Sequence, residues 1–200
     1  MRYPSGISII ETLVAISIGT FILLLTATIF ISTSQVQRDL NKQVEVQKDA
    51  RRAVADIVSV VRKAEPSSSG AYSIVTATTN TLTVYANTDN DTARERVRYF
   101  VSSTALYKGV VDPSGTPAAY ATSSERITKI ASAVYNMRSG VDLFSYFDAS
   151  YAGVGGGLPQ PVSTTAVRAV RVVITLDEDP ASTPQALTVQ SFISIRNLKE

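Results

Sequence analysis

Two residues near the start of the chain have types and positions that invite chemistry. Gly6 ends a short polar leader, Met1-Arg2-Tyr3-Pro4-Ser5-Gly6, and abuts an apolar run from Ile7 to Ile31 in which Glu11 is the one charged side chain. A glycine at a water-to-apolar junction, behind a leader that carries Arg2, offers a cleavable peptide bond on the cytoplasmic side of a membrane. An unpaired carboxylate inside such a segment costs ~2.5–3.5 kcal/mol at a bilayer centre and less towards an interface. Glu11 therefore needs a partner.

Elsewhere the residue types exclude more than they suggest. The 200 residues include no histidine and no cysteine. Ser-His and Cys-His nucleophile pairs, thiol chemistry, disulfides and the commonest transition-metal ligand are thereby removed. No acid/base constellation is visible among the scattered carboxylates, so neither enzymatic activity nor an organic cofactor is expected. The formal charge is only +2, with both signs interleaved along the chain, which leaves no basic field for nucleic acid.

Three head segments still merit a chemical reading. Asp89 and Asp91, in Asp89-Asn90-Asp91, are candidate oxygen ligands for calcium, and Asp177-Glu178-Asp179 offers similar groups. Neither run has the full EF-hand pattern, and Asp and Asn at such places make turns without any ion. Gly153-Val154-Gly155-Gly156-Gly157 lacks the Gly-Lys-Ser/Thr ending of a phosphate loop and leads into Leu158-Pro159, which reads as a plain loop. Arg94, Arg96 and Arg98 alternate with Glu95, Val97 and Tyr99, setting three cations on one face of a strand; a solvated sheet face is the simpler account, DNA the sharper one.

The element that must position Glu11 is a helix. The run from Ile7 to Ile31 is long enough to cross a hydrocarbon core of ~30 Å at ~1.5 Å per residue. It exceeds the roughly 7–15 apolar residues of a secretory signal peptide, and no A-x-A-like site closes it. Retention in the mature protein follows. Gly6-Ile7-Ser8-Ile9-Ile10-Glu11-Thr12-Leu13 resembles the prepilin cleavage and methylation motif of the type IV pilin family, although the family usually has Phe where Ile7 stands. The resemblance implies that a prepilin peptidase cuts after Gly6 and N-methylates Ile7. It further implies that the new amine pairs with Glu11, most often that of a neighbouring subunit, which sets subunit register.

Beyond Ser32 charged residues appear, yet Leu40, Val44, Ala50, Ala53, Val54, Ile57, Val58 and Val61 recur at helical spacing. Arg38, Lys42, Glu45, Lys48, Asp49, Arg52, Asp56 and Lys63 take the other face, and no breaker intervenes before Pro66. A coiled-coil stalk is the competing account, but the apolar positions keep no strict heptad. After Gly70 the pattern turns to strands: 72–78 and 81–86 about a Thr-Asn turn, 96–102 and 104–108, then 134–138 and 143–147, and finally 166–176 and 186–196 with a bulge near Ser191. A helix is expected over 124–134, capped by Ser123 or Ser124.

The organisation that results is a leader at 1–6, a transmembrane or filament-core half-helix at 7–31, an amphipathic half-helix at 32–65 and an extracytoplasmic β-rich head at 66–200. The fold class is α+β, a long N-terminal helix packed on an antiparallel β head. By resemblance the chain is a subunit of a type IV pilus or a type II secretion pseudopilus, first single-pass in the inner membrane and then in a filament or at the cell surface. Its implied partners are other pilin or pseudopilin subunits, the peptidase, an inner-membrane assembly platform and the membrane. The paired cysteines of many major pilins are missing, which favours a minor subunit. A tip adhesin or DNA-binding minor pilin on the same scaffold, and a signal-anchored protein with an unrelated head, are the alternatives.

Overall fold

The computed structural model describes residues 8–89, 91–177 and 186–198 and combines one long helix with two antiparallel sheets. Helix α1 runs unbroken over Ile9–Arg62, 54 residues, straight through Gly19, so the glycine does not loosen it. It stops ahead of Pro66 because the chain tightens: the amides of Lys63 and Ala64 bond to Val60 and Val61, three residues back. The chain divides into two compact units, Met1–Glu45 and Val46–Glu200. The last turns of α1 thus belong with the sheets.

Those turns bury Ala50, Ala53, Val54, Ile57, Val60 and Val61, and Ala64 just past the helix end is buried with them. The spacing repeats every three or four residues, one stripe of a 3.6-residue helix. Three of the seven are alanines, and Ile57, the largest of the set, is fully buried; burying such a side chain contributes about 1.5–3 kcal/mol. Val44, placed in the stripe by its spacing, is instead 50% exposed. The core begins about one turn later.

Five strands form the first sheet in simple sequence order: β1 (Ile74–Ala77), β2 (Thr81–Ala86), β3 (Glu95–Ser102), β4 (Ala105–Val111) and β5 (Arg126–Ala131). Leu82, Val84, Val97, Tyr99 and Leu106 come from its inner face into the same core as the α1 stripe. The second sheet is β6 (Phe144–Phe147), β7 (Ala169–Leu176) and β8 (Leu187–Ser194), in that order. Phe144, Tyr146, Val170, Val172, Ile174 and Ile193 complete the core from that side. The Tyr146 hydroxyl ties the sheets by donating to the carbonyls of Thr78 and Thr81, at 2.8 and 3.2 Å.

Three local expectations are overturned. Residues 124–134 are not a helix: a 3-10 turn at Thr122–Ser124 precedes β5, and the β-branched residues of Arg126-Ile127-Thr128 pair with β4. Ser124 sends its hydroxyl back to the carbonyl of Ala121 instead of forward to a helix N-terminus. The strand expected over 134–138 is a single bridge at Val134, followed by the short helix α2 (Asn136–Ser139) and Gly140 at φ 67°. Asn136 explains the change, since its buried amide donates to the carbonyls of Val141 and Val173 and accepts from the Thr175 amide. The bulge near Ser191 is absent; β7 and β8 pair in continuous register from Ala169↔Ser194 to Leu176↔Leu187. What disturbs the alternation is Phe192, a large ring turned outward.

Asp56 also departs from expectation. It stands on the helix face assigned to solvent, yet its carboxylate accepts from the Tyr99 hydroxyl at 2.7 Å and from Lys108 Nζ at 2.8 Å. Burial first, then the Asp56 charge, raise the Tyr99 phenol above its ordinary pKa. Asp56→Ala strands a fully buried hydroxyl and is expected to cost about 1–3 kcal/mol in denaturant unfolding, with Asp56→Asn retaining part of that. Tyr146 is likewise raised by burial. Both groups keep their protons when folded and lose them readily only when unfolded, so stability is complete below ~pH 10 and declines as pH climbs beyond it. Alkaline titration of the melting temperature checks the sign.

Candidate functional site

The membrane-length segment is Ile9–Phe30, 22 residues of mean hydropathy 2.4 and long enough to cross a bilayer core. Its side chains lie exposed all round the helix, among them Ile9 at 82% and Phe30 at 73%. Such a surface is stable only against lipid or other apolar chains. Its hydroxyls are already satisfied: Ser17, Thr20 and Thr26 donate to Leu13, Ile16 and Ile22 one turn back, each at 2.8 Å. No polar group other than Glu11 demands a partner from outside by its charge. A Cβ on Gly19 would meet nothing within 4 Å, so that glycine answers no packing need within the chain.

Gly6 and Ile7 lie outside the described residues. Glu11 lies in the first turn of α1, where the Ser8 carbonyl accepts the amides of Glu11 and Thr12 at 3.0 and 3.1 Å. A carboxylate there also faces the unpaired amides of a helix N-terminus, whose partial positive charge favours it. A cation arriving near this turn would meet the one acidic group of the span.

In the head, Asp89 and Asp91 are joined by a residue the sequence reading missed, Glu95. Ligand oxygens of all three lie within 4.8 Å of one another. Glu95 is only 2% exposed, and its Oε2 accepts from the Thr88 amide at 2.7 Å and hydroxyl at 2.8 Å. Asp91 Oδ1 accepts from the Ala93 amide at 2.6 Å. Three carboxylates carry six oxygens, the bottom of the 6–8 that calcium takes and only if every one binds bidentately, and several of those oxygens are already engaged in closing the turn. Alternation held a signal for Glu95, since it shares the inward face of β3 with Val97 and Tyr99. In the other acidic run, Glu178 and Asp179 lie outside the described residues, while the Asp177 amide bonds to the Ala133 carbonyl.

The arginine row does not survive as a free cationic face. Arg94 precedes β3 and pairs with Glu65 at 3.3 Å. Arg98 is held by both oxygens of Glu125, at 2.8 and 2.7 Å, and its guanidinium lies 3.9 Å from the Phe100 ring centre. Gly109 makes the bridge possible, because a Cβ there would collide with the Glu125 carboxylate reaching across β4. Arg96 is the member of the row with no ion pair among the described residues.

No family model matches the chain, and no curated protein matches it.

The Arg98 guanidinium holds the Glu125 carboxyl below its ordinary pKa by hydrogen bonding. That contribution to stability is present above the unfolded value of ~4.3 and disappears as pH falls through the lower folded value. Glu125→Gln is therefore expected to lower stability at neutral pH, where the ion pair is intact, and so to flatten the acid limb of a stability-pH curve, with little change below pH ~3.

Proposed function

We propose that this chain is a structural, non-catalytic subunit, minor rather than major, of a type IV pilus or type II secretion pseudopilus. The observation that carries the reading is a coincidence of features. A polar leader, a junction glycine, a carboxylate five residues on and an unbroken apolar span occur together at the head of one helix. Each is common alone; a cleavable bond and a buried-charge partner are jointly explained only if the bond is cut.

On this reading a prepilin peptidase removes residues 1–6 and leaves a positive amine on Ile7. In the membrane, Glu11 waits without a counter-ion. During assembly by an inner-membrane platform, the apolar side chains of Ile9–Phe30 exchange lipid for those of neighbouring subunits, which changes little in solvation free energy and keeps the filament core reversible. The amine of one subunit and Glu11 of another then neutralise each other at a single register. Removing one partner from a buried ion pair costs about 3–5 kcal/mol, enough to bias incorporation strongly. Engagement of Arg94 and Arg98 by Glu65 and Glu125 speaks against a DNA-receptor variant of this reading.

Two substitutions separate processing from assembly. Gly6→Val is expected to leave an uncut, slower-migrating precursor in the membrane fraction. Glu11→Ala is expected to be cut normally yet to be depleted from sheared filaments by about tenfold or more relative to the unchanged chain. Normal incorporation of the Glu11 variant removes the register role; absence of any cleavage in the unchanged chain removes the family reading itself.

A further inference from the structure

The three-stranded sheet has an outer face that the core does not explain. Phe144 and Tyr146 of β6 point into the core, whereas Phe147 lies on the opposite face and is still only 1% exposed. What covers Phe147 is a second aromatic group. The Tyr151 ring centre lies 4.2 Å away and that of Phe192 lies 5.3 Å away, with Tyr151 and Phe192 stacked at 5.6 Å. Arg171 pins the arrangement: its guanidinium sits 4.7 Å from the Phe147 ring centre and Nη2 donates to the Tyr151 hydroxyl at 3.0 Å. Phe192 remains 45% exposed. The glycine-rich loop frames this face, because Leu158 donates its amide to the Tyr146 carbonyl at 2.7 Å and a Cβ on Gly157 would come within 3.0 Å of that same oxygen.

Beside the rings lie two adjoining hollows that share Asp148 and Tyr151, of about 230 and 280 Å³. Arg168, Phe192 and Ser194 line the larger. Both charged groups there are fixed. Asp148 Oδ1 accepts the amide and hydroxyl of Ser150, at 2.9 and 2.6 Å, which holds the carboxyl below its ordinary pKa and fixes its orientation. Arg168 Nη1 donates to the carbonyls of Thr165 and Val167, at 2.7 and 3.1 Å; its Nε is buried without an acceptor, and Nη2 also lacks one among the described residues.

We infer that the larger hollow binds a neutral saccharide, one pyranose ring lying on the exposed ring of Phe192 beside Tyr151, with its hydroxyls meeting the Asp148 carboxylate and the Arg168 guanidinium. Aromatic faces are electron-rich and attract the slightly positive C–H face of a sugar ring. A carboxylate acceptor and a guanidinium donor on one wall suit neighbouring hydroxyls, which both donate and accept. Asp148 lines both hollows, so the phosphates of a nucleotide would meet a carboxylate, while Arg168 and the nearby Arg171 disfavour an ammonium group. The volume falls just below the ~300–1,000 Å³ of sites for drug-sized ligands and suits one or two rings. This site is independent of the filament reading, since every residue in it belongs to the head.

The full chain in phospholipid nanodiscs, which bring no sugar detergent, is tested by saturation-transfer NMR. The probes are the methyl glycosides of glucose and galactose, and N-acetylglucosamine. Transfer to ring C–H protons of at least one of them is expected, with affinity on the order of 1 mM. Phe192→Ala and Asp148→Asn should each weaken it by about tenfold, while Phe100→Ala on the other sheet leaves it unchanged; circular dichroism confirms that each variant folds. The proposal is overturned if no probe receives saturation, if the signal survives both substitutions, or if glucuronate or glucosamine binds better than the neutral sugars.

Discussion

The packing of the apolar stripe of α1, from Ala50 to Val61, into one core with the inner faces of two sheets is the contact on which the head depends. The sheets do not share a ladder; they are joined by the bridge between Val134 and Leu176, by the Tyr146 hydroxyl and by a common core. Branched side chains of the helix stripe and the large rings and branched chains of both sheets fill that core together. Asp56 then fixes rotation and depth, because Tyr99 and Lys108 reach it from β3 and β4 together. Apolar contact supplies attraction without direction; the charged, hydrogen-bonded Asp56 supplies the direction.

The N-terminal stretch of the same helix faces a different constraint. In an apolar surrounding, which a helix of this length and hydropathy suits, no side chain gains by burial against another, but an unmet hydrogen-bonding group is heavily penalised. Serine and threonine meet that condition alone, by bonding to carbonyls one turn back. Glu11 has no comparable remedy among the described residues, and this asymmetry among the polar residues of Ile9–Phe30 is why it stands out. One continuous helix therefore carries two kinds of surface, one indifferent to which apolar neighbour it meets and one shaped for a particular core.

Charge on the head is similarly organised by placement rather than amount. Arg94 and Arg98 look like a cationic row when written in line, yet each is turned to a carboxylate far along the chain, Glu65 or Glu125. Asp148 and Arg168 are twenty residues apart, and the turn after β6 and the entry to β7 bring them to one hollow beside the outward ring of Phe192. Neither arrangement is local in origin.

The long helix, the change of period after Gly70, the hairpins about Asn80 and Ser103 and the last two strands were legible from residue order, because each rests on spacing within a short window. Glu11, a lone charge within an apolar run, was legible in the same way and lies in the first turn of α1. Helix and strand were confused over 124–138, where short polar and β-branched segments have no strong preference and pairing with β4, or the buried amide of Asn136, chose between them. The inward turn of Asp56, the enclosure of Glu95 by Thr88 and the aromatic group around Phe147 had no such local mark. The sequence by itself determined where the chain is apolar, where it breaks and which residues bear charge, since these are properties of neighbours a few positions apart. Only the tertiary structure decided which charges meet and which rings stay exposed, because those outcomes depend on residues brought together across long stretches of chain.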